Sequence, residues 1–351
     1  MDKQRSNAFM LKLVGDVATT LAATLLLVGD RTGLFRAMAG AGPLRAAELA
    51  ERAGIAARYA DEWLATMAGA GYVDYDAATQ RFTLPDEHAL FLTDPSSEFY
   101  LGGLFSGLPA MAAMVPQLAE AFRTGGGIAF TEFGAELPLA LAAMNRSVYE
   151  QRLVKSWLPA LPGVVERLQA GGRALDIGCG LGVVPIALAR AFPQAQVSGL
   201  DVDARSLELA RAEARAAGVA VDFLQHGVED LPADARWYLV STFDVVHDLP
   251  DPEGALRRIH RALTPGGTYL MVEPKVGEAL EHDLHNPFAR MLYGISCLHC
   301  VPQSLALGGP GLGACWGERR ARALAADAGF TRFERLDIRS PALAFYALGA
   351  G

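Results

Sequence analysis

The sequence predicts an α/β protein in which a helical front part precedes a domain built on a mainly parallel β-sheet. A short apolar run at residues 173–177 leads into a glycine-rich loop and then into a helix. From there onward, apolar runs alternate with segments of helical spacing, as in parallel sheets. At 351 residues the chain is long for one compact domain, so two are predicted, with boundaries 1–150 and 151–351.

Composition and charge exclude several classes of protein. The formal net charge of −8 argues against a nucleic-acid surface, which needs clustered Lys and Arg. The four cysteines are too few and too unevenly spaced for a secreted disulfide framework, so we predict a reducing, cytoplasmic location. The longest apolar run, Val17 to Val28, is too short for a membrane span, and no signal peptide is recognisable. We therefore expect no membrane contact.

The first helix is predicted over Leu11 to Val28. It is hydrophobic nearly all round and must be covered on several sides. A partner subunit provides such cover, so we expect a homodimer.

The next elements predict a winged helix. Arg45–Ala53 and Arg58–Ala70 have helical spacing, with Gly54 as the stop of the first. Gly71–Tyr75 and Arg81–Leu84 then alternate like the two strands of a hairpin. A winged helix often binds DNA, but residues 31–85 carry six Arg, no Lys and six acids, a net charge of zero. Packing and dimerisation are therefore favoured over DNA binding.

The glycine loop is the centre of the second domain. Its spacing, G-x-G-x-G from Gly178 to Gly182, differs from the dinucleotide fingerprint G-x-G-x-x-G. Asp176 precedes it and would repel a pyrophosphate, but it suits a ligand with an amino group. Asp201 ends the next apolar run, about 20 residues downstream, where a ribose diol is usually held.

With its motif A-L-D-I-G-C-G-L-G at residues 174–182 and the acid at Asp201, the sequence resembles the class I methyltransferases that use S-adenosylmethionine (SAM). The resemblance covers roughly residues 145–350. It includes a P-G-G turn at 265–267 before a strand, and two final strands at 332–338 and 343–348. The resemblance implies a Rossmann-like, seven-stranded sheet whose last strand is antiparallel. The front domain is similar in layout to the winged helix of plant caffeate-type O-methyltransferases and their bacterial relatives, which serves for dimerisation and as part of the substrate wall.

The resemblance also implies a cofactor site. Its residues are Asp176, Gly178, Gly180, Asp201, Val202, Gly227, Val228 and Phe243. In the family an acid in the loop after the third strand often accepts the exocyclic amine of adenine. Here Gly227 stands at that position, so backbone groups of Gly227 and Val228 are expected to serve instead.

His247 is the candidate general base. It begins the stretch H-D-L-P-D, which resembles the H-D-W-S-D stretch of the plant enzymes at His247, Asp248 and Asp251. A histidine with a pKa near 6.5 can take the proton of a phenol or acidic enol during methyl transfer. The alternative is a histidine bonded only to its own loop, and the sequence leaves both open.

Residues 275–320 form an insertion that is expected to be a lid or substrate wall, with Tyr293 and His299 as candidate substrate contacts. The insertion also holds several potential metal ligands. These are Cys297, Cys300, Cys315, His282 and His285. Their spacing matches no standard zinc pattern, so no metal is predicted.

Together these features predict a methyltransferase that moves a methyl group from SAM to a small organic acceptor and leaves S-adenosylhomocysteine. Oxygen of a hydroxylated aromatic or polyketide-like compound is the favoured acceptor, by resemblance. Two alternatives stay open: a SAM-binding relative that catalyses another step, and a winged-helix, ligand-sensing regulator.

Overall fold

The computed structural model describes residues 1–232, 234, 236–277 and 279–349. The chain divides into two compact units. One comprises Met1–Pro109 with Ala143–Val148, and the other comprises Ala110–Ala142 with Tyr149–Gly351. Each unit has its own hydrophobic core.

The first unit confirms the predicted winged helix. Its elements are α1 (Lys3–Thr32), α2 (Leu34–Met38), α3 (Ala46–Ala53), α4 (Ala57–Gly69), β1 (Asp74–Asp76), β2 (Arg81–Thr83) and α5 (Asp86–Leu92). The hairpin is antiparallel, and Leu44 adds a bridge to Phe82. Its first strand begins later than predicted, because the N–H of Tyr72 closes the end of α4 by donating to the carbonyl of Met67 at 2.8 Å.

Trp63 organises the core of this unit. Its indole N–H donates to the carbonyl of Leu25 on α1 at 2.9 Å, and its ring meets Phe35 edge to face at 4.9 Å between centroids. A Cβ at Gly29 would lie 2.5 Å from the indole. Glycine at this position therefore allows α1 to pack directly on the ring.

Helix α1 is longer than predicted and mostly exposed. Asp2 caps its start by accepting from the N–H groups of Gln4 and Arg5, and Gly33 ends it in the left-handed conformation. Its exposed apolar residues are Phe9, Met10, Leu11, Leu13, Val14, Val17, Leu21 and Val28. In length and composition this helix is sufficient to cross a membrane. The sequence-based expectation of no membrane contact remains a prediction.

Beyond α5 the chain continues with helices and the strands of one large sheet. These are α6 (Leu108–Ala113), α7 (Val115–Thr124), α8 (Glu136–Arg152), α9 (Val164–Gln169), β3 (Arg173–Ile177), α10 (Val183–Ala191), β4 (Gln196–Asp201), α11 (Ala204–Ala216), β5 (Asp222–Gln225), β6 (Trp237–Phe243), α12 (Pro252–Ala262), β7 (Leu263–Pro274), α13 (Leu280–Asp283), α14 (Pro287–Ile295), α15 (Val301–Ala306), α16 (Glu318–Asp327), β8 (Arg332–Arg335) and β9 (Leu343–Gly349).

The sheet has seven strands in the order β5-β4-β3-β6-β7-β9-β8. The strands from β3 to β7 pair in parallel, whereas β9 runs antiparallel to both β7 and β8. This confirms the predicted seven-stranded, Rossmann-like fold. The order reverses between β3 and β6, and ligands of such sheets bind beyond the carboxyl ends of the strands at that point.

Strand β6 ends before the chain reaches His247. The strand ends at Phe243 because Asp244 has a φ of 56°, in the left-handed region that breaks a strand. Residues 246–248 then form a 3₁₀ turn. His247 therefore sits on a turn and not at the end of a strand.

Candidate active site

The glycine loop joins β3 to α10 and takes its shape from positive φ angles. Gly178 and Gly180 have φ of 68° and 50°. A Cβ at Gly178 would lie 2.5 Å from the side chain of Val245, whereas one at Gly180 would meet open space. Glycine is thus required at the first position by packing, and at the second by backbone conformation. The backbone at Gly180 is the part of the loop that a ligand can approach.

Asp201, at the end of β4, holds this loop. One carboxylate oxygen accepts the N–H of Gly180 at 2.8 Å, and the other accepts the N–H of Asp203 at 2.9 Å. Burial of the carboxyl raises its pKa, while these hydrogen bonds favour the charged form. Asp201, the residue predicted to bind the ribose, therefore also fixes the shape of the glycine loop.

Asp176 lies buried near the end of β3, with 3% of its surface exposed. It accepts a hydrogen bond from the Ser241 hydroxyl on the neighbouring strand at 2.7 Å. Desolvation raises the pKa of the carboxyl to about 8. An ammonium group placed beside this carboxyl would favour its ionised form, as the predicted role at the amino-acid end of a cofactor requires.

The predicted adenine side begins at Val202, which is 68% exposed directly after Asp201. Val228 is buried, and Gly227 precedes it in the loop after β5. A Cβ at Gly227 would come 2.1 Å from the carboxylate of Glu229. An acidic group therefore occupies the space that a side chain at position 227 would take, which the sequence analysis did not anticipate.

Phe243 ends β6 within an aromatic group. Its ring lies 5.0 Å from that of Tyr149, which lies 5.6 Å from that of Trp157. The Tyr149 hydroxyl donates to the carboxylate of Asp244 at 3.5 Å. The other carboxylate oxygen of Asp244 is buried without a hydrogen-bond partner. Desolvation, together with the charge of Glu273, raises the pKa of Asp244 to about 7.

His247 is buried, with 2% of its side chain exposed, and its Nδ1 is hydrogen-bonded to Glu273 at the end of β7. Glu273 is itself fixed, since it accepts the N–H of Val246 and the indole N–H of Trp316, both at 3.0 Å. Burial opposes the charged imidazole, but Glu273 and Asp248 outweigh it and raise the pKa of His247 well above its usual value. Glu273 thus orients the ring and stabilises the imidazolium that a base becomes after taking a proton.

The second nitrogen of His247, Nε2, lies 3.5 Å from Oδ1 of Asp248. The thiol of Cys300 also lies near this ring. One ligand atom from each of these three residues lies within 4.8 Å of the other two, and among the described residues this is the one such group of three. Cys297, in contrast, is exposed.

The two predicted substrate residues have different surroundings. His299 is buried, its Nδ1 has no hydrogen-bond partner, and its ring packs edge-on against Phe133 at 5.0 Å. Burial lowers its pKa and favours the neutral ring. The Tyr293 hydroxyl donates to Asp283 at 2.9 Å, and the residue lines an apolar groove of about 350 Å³ with Phe122 and Cys297.

Several residues of this site were missed by the sequence analysis. They are Tyr149, Ser241, Asp244, Glu273 and Trp316. Only Glu273 had a usable signal, because an acid at the end of a buried strand falls where parallel sheets bind ligands. The others are brought in by tertiary packing.

Comparison with known proteins agrees with this architecture. Residues 168–329 match the family model of a methyltransferase domain, and residues 20–94 match that of an Rv2258c-like winged helix-turn-helix domain. The ubiquinone biosynthesis O-methyltransferase of Klebsiella pneumoniae is 34% identical over 99 residues, which are 28% of this chain and 40% of that protein. The chain thus matches less than half the length of this curated relative.

Two solved structures are similar over nearly their whole length. Mitomycin 7-O-methyltransferase MmcR is 22% identical with a TM-score of 0.68, and 99% of this chain and 100% of that chain are covered. Human N-acetylserotonin methyltransferase, solved with SAM, is 18% identical with a TM-score of 0.63. The match covers 100% of this chain and 99% of that chain. At these identities the likeness shows the fold. Together with the two matched models, it gives the chain a methyltransferase domain that follows a winged helix-turn-helix domain.

Proposed function

We propose that this protein transfers a methyl group from SAM to an oxygen of a small hydroxylated aromatic or polyketide-like molecule. One observation carries the proposal: the glycine loop with Asp176 and Asp201, and the His247–Glu273 pair, lie at the carboxyl ends of neighbouring strands of one sheet. That edge is where such folds bind ligands. This shared edge supports a cofactor site and a base that act together in one displacement reaction.

The described residues suit SAM. Asp176 offers a buried carboxyl to the ammonium group, Asp201 offers carboxylate oxygens to the ribose diol, and exposed Val202 offers an apolar face to adenine. When bound, SAM would supply an electrophilic methyl group, whose carbon–sulfur bond breaks as the acceptor oxygen bonds to the methyl carbon in line, with S-adenosylhomocysteine as the leaving group. The open side of Gly180 leaves room for the ligand beside the loop backbone.

His247 is the proton acceptor in this proposal. Nδ1 is held by Glu273, so the remaining nitrogen, Nε2, is the one that can take the acceptor's hydroxyl proton. Glu273 then stabilises the resulting imidazolium. His299, neutral and buried against Phe133, is proposed to contact a polar group of the acceptor through Nδ1.

We also propose a cytoplasmic homodimer that uses helix α1. This is supported by the row of exposed apolar side chains on α1, among them Leu11 at 64%, Val14 at 62% and Val17 at 61% exposed. Light scattering of the purified chain should give twice the monomer mass, and substitution of Val14 and Val17 by Glu should give the monomer. Flotation with liposomes, in contrast, would identify α1 as a membrane helix.

Calorimetric titration with SAM and S-adenosylhomocysteine tests the cofactor site. Binding of both, followed by methylation of members of a panel of phenols, would support the proposal. Folded protein that binds neither would exclude it. A relative that catalyses another step would bind both ligands without methylating any acceptor, and a regulator would shift DNA at moderate salt.

A further inference from the structure

The side of His247 that faces away from Glu273 carries an unexplained group of side chains. One imidazole nitrogen of His247, a carboxylate oxygen of Asp248 and Sγ of Cys300 lie within 4.8 Å of one another, and Nε2 is 3.5 Å from Oδ1 of Asp248. His247 and Asp248 come from the turn after β6, and Cys300 comes from a π-helical turn at Ser296–Cys300. One nitrogen, one oxygen and one sulfur ligand thus converge from segments that are distant in the sequence.

The histidine is already oriented as a metal-binding histidine usually is. Metal-ligating imidazoles generally bond a carboxylate through their other nitrogen, which fixes the ring and makes it a better donor. Glu273 fills that role at Nδ1, and it is held by the indole of Trp316 and the backbone N–H of Val246. Nε2 is thereby directed towards Asp248 and Cys300.

A second observation concerns charge. Oδ1 of Asp248 is buried and has no hydrogen-bond partner, although it lies 3.5 Å from Nε2 of His247. A buried carboxylate oxygen is costly unless a donor or a cation satisfies it. The side chain of Asp248 remains 16% exposed, so the group is not sealed from solvent.

We infer that His247, Asp248 and Cys300 form a three-ligand site for a Zn²⁺ ion. A thiolate with an imidazole and a carboxylate is a donor set that suits zinc better than magnesium or calcium. Three protein ligands leave the fourth tetrahedral position to an oxygen. On binding, Cys300 gives up its thiol proton to solvent, and no electron is transferred.

The inferred metal site does not depend on the proposed methyl transfer, but it has a consequence for that reaction. The lone pair of Nε2 cannot hold a zinc ion and accept a proton at the same time. Zn²⁺ should therefore inhibit the transfer by occupying the base, and chelation should restore it. Metal binding can be measured without SAM or an acceptor, so failure of either idea can be recognised separately.

The experiment uses the tag-free, full-length protein, freed of metal by a chelator. Titration with Co²⁺, a spectroscopic stand-in for Zn²⁺, should give one equivalent of a thiolate-to-metal band that Zn²⁺ then abolishes. Cys300→Ser should lose the band, whereas Cys297→Ser, on the exposed side of the same turn, should keep it. Glu273→Gln should weaken Zn²⁺ binding by roughly 10- to 100-fold.

Asp248→Asn is a second variant, which keeps the inference testable if Cys300→Ser does not fold. It should keep the thiolate band but weaken Zn²⁺ binding, with an unchanged circular dichroism spectrum. The inference would be overturned if wild-type protein showed no thiolate band, if Cys300→Ser retained it, or if Cys297→Ser lost it.

Discussion

The two halves of the site are built in different ways. The cofactor half is mostly backbone: a loop of five residues, 178–182, whose glycines carry positive φ, fastened by Asp201 at 2.8 Å from the Gly180 nitrogen. The acceptor half is mostly side chains, with His247, Glu273 and Cys300 drawn from three separate segments. The first half depends on local conformation, and the second depends on tertiary packing.

This difference predicts which property, the rate of transfer or the binding of the cofactor, a substitution in each half should change. A change in the acceptor half should alter the rate of transfer and leave the cofactor bound, because its side chains do not shape the glycine loop. A change in the cofactor half should weaken the binding of SAM and S-adenosylhomocysteine. The predictions below test this separation, starting with the largest expected effect.

His247→Ala should lower kcat by about 10²- to 10⁴-fold, the usual contribution of a positioned general base. The affinity for S-adenosylhomocysteine should be unchanged. Single-turnover assays with an accepted phenol, run in the presence of a chelator, measure the rate of transfer. Calorimetry measures the affinity for S-adenosylhomocysteine. His282→Ala, at an exposed position on α13, is the control. A loss of cofactor affinity in His247→Ala would show that the halves are not separable.

Asp201→Ala should weaken S-adenosylhomocysteine binding by about 100-fold. It removes the carboxylate proposed to accept from the ribose diol, and a hydrogen bond to a charged group is worth ~1.5–3 kcal/mol, of which the upper value is about two powers of ten in Kd. Calorimetry provides the measurement, with Asp222→Asn, an exposed acid on β5, as control. An affinity equal to that of the wild type would remove Asp201 from the site.

Glu229→Gln should change how adenine is recognised. Because its carboxylate lies over Gly227, we propose that it accepts the exocyclic amine that an acid at position 227 accepts in related enzymes. Wild-type protein should prefer S-adenosylhomocysteine to its inosine analogue, which has an oxygen in place of the amine. The variant should lose about tenfold of that preference, or ~1.4 kcal/mol. Asp230→Asn is the control, and an unaltered preference in Glu229→Gln would refute the assignment.

Asp176→Asn should have the smallest effect, on stability. The folded carboxyl, with its pKa raised to about 8, keeps a proton that the unfolded chain releases near pH 4. Its contribution to stability therefore falls as pH rises between those values, and the neutral amide avoids this loss. At pH 8 the Tm of the variant should exceed that of the wild type by ~2 °C, about 1 kcal/mol.

Thermal melts at pH 5 and pH 8 provide the test of this last prediction. The difference in Tm between variant and wild type should grow from the lower to the higher pH. A difference that is the same at both values would mean that the carboxyl is ionised throughout, as it would be beside an unrecognised cation. The amide variant should also bind S-adenosylhomocysteine less tightly.

The sequence analysis was most successful where structure is local. Hydrophobic runs and glycine stops sufficed for the winged helix, and the seven-stranded sheet followed from the family resemblance. The end of β6 at Phe243 is not predictable in this way, because nothing in the sequence around Asp244 marks a left-handed residue other than the Asp itself. Helix α1 was predicted too short because its first residues, 3–7, are all polar and add no apolar signal.

The acceptor half was only partly predictable for a related reason. The motif around His247 identified the histidine, but not its partner Glu273, which is 26 residues away along the chain in the hydrogen-bonded pair. Cys300 and Trp316 reach the same place through a π-helical turn and a loop, whose course no periodicity reports. The two Cys residues of the C-L-H-C stretch looked equivalent in sequence, yet one is exposed and the other buried.

The hydrogen bond from the Gly180 nitrogen to Asp201 also has a kinetic meaning. A loop that is already fastened does not need to be ordered by its ligand, so little conformational entropy is lost on association. Cofactor capture should then be a single step whose observed rate rises linearly with concentration, without a slow isomerisation phase. Asp201, which shapes the loop, would thus also determine how fast the cofactor binds at the start of each catalytic cycle.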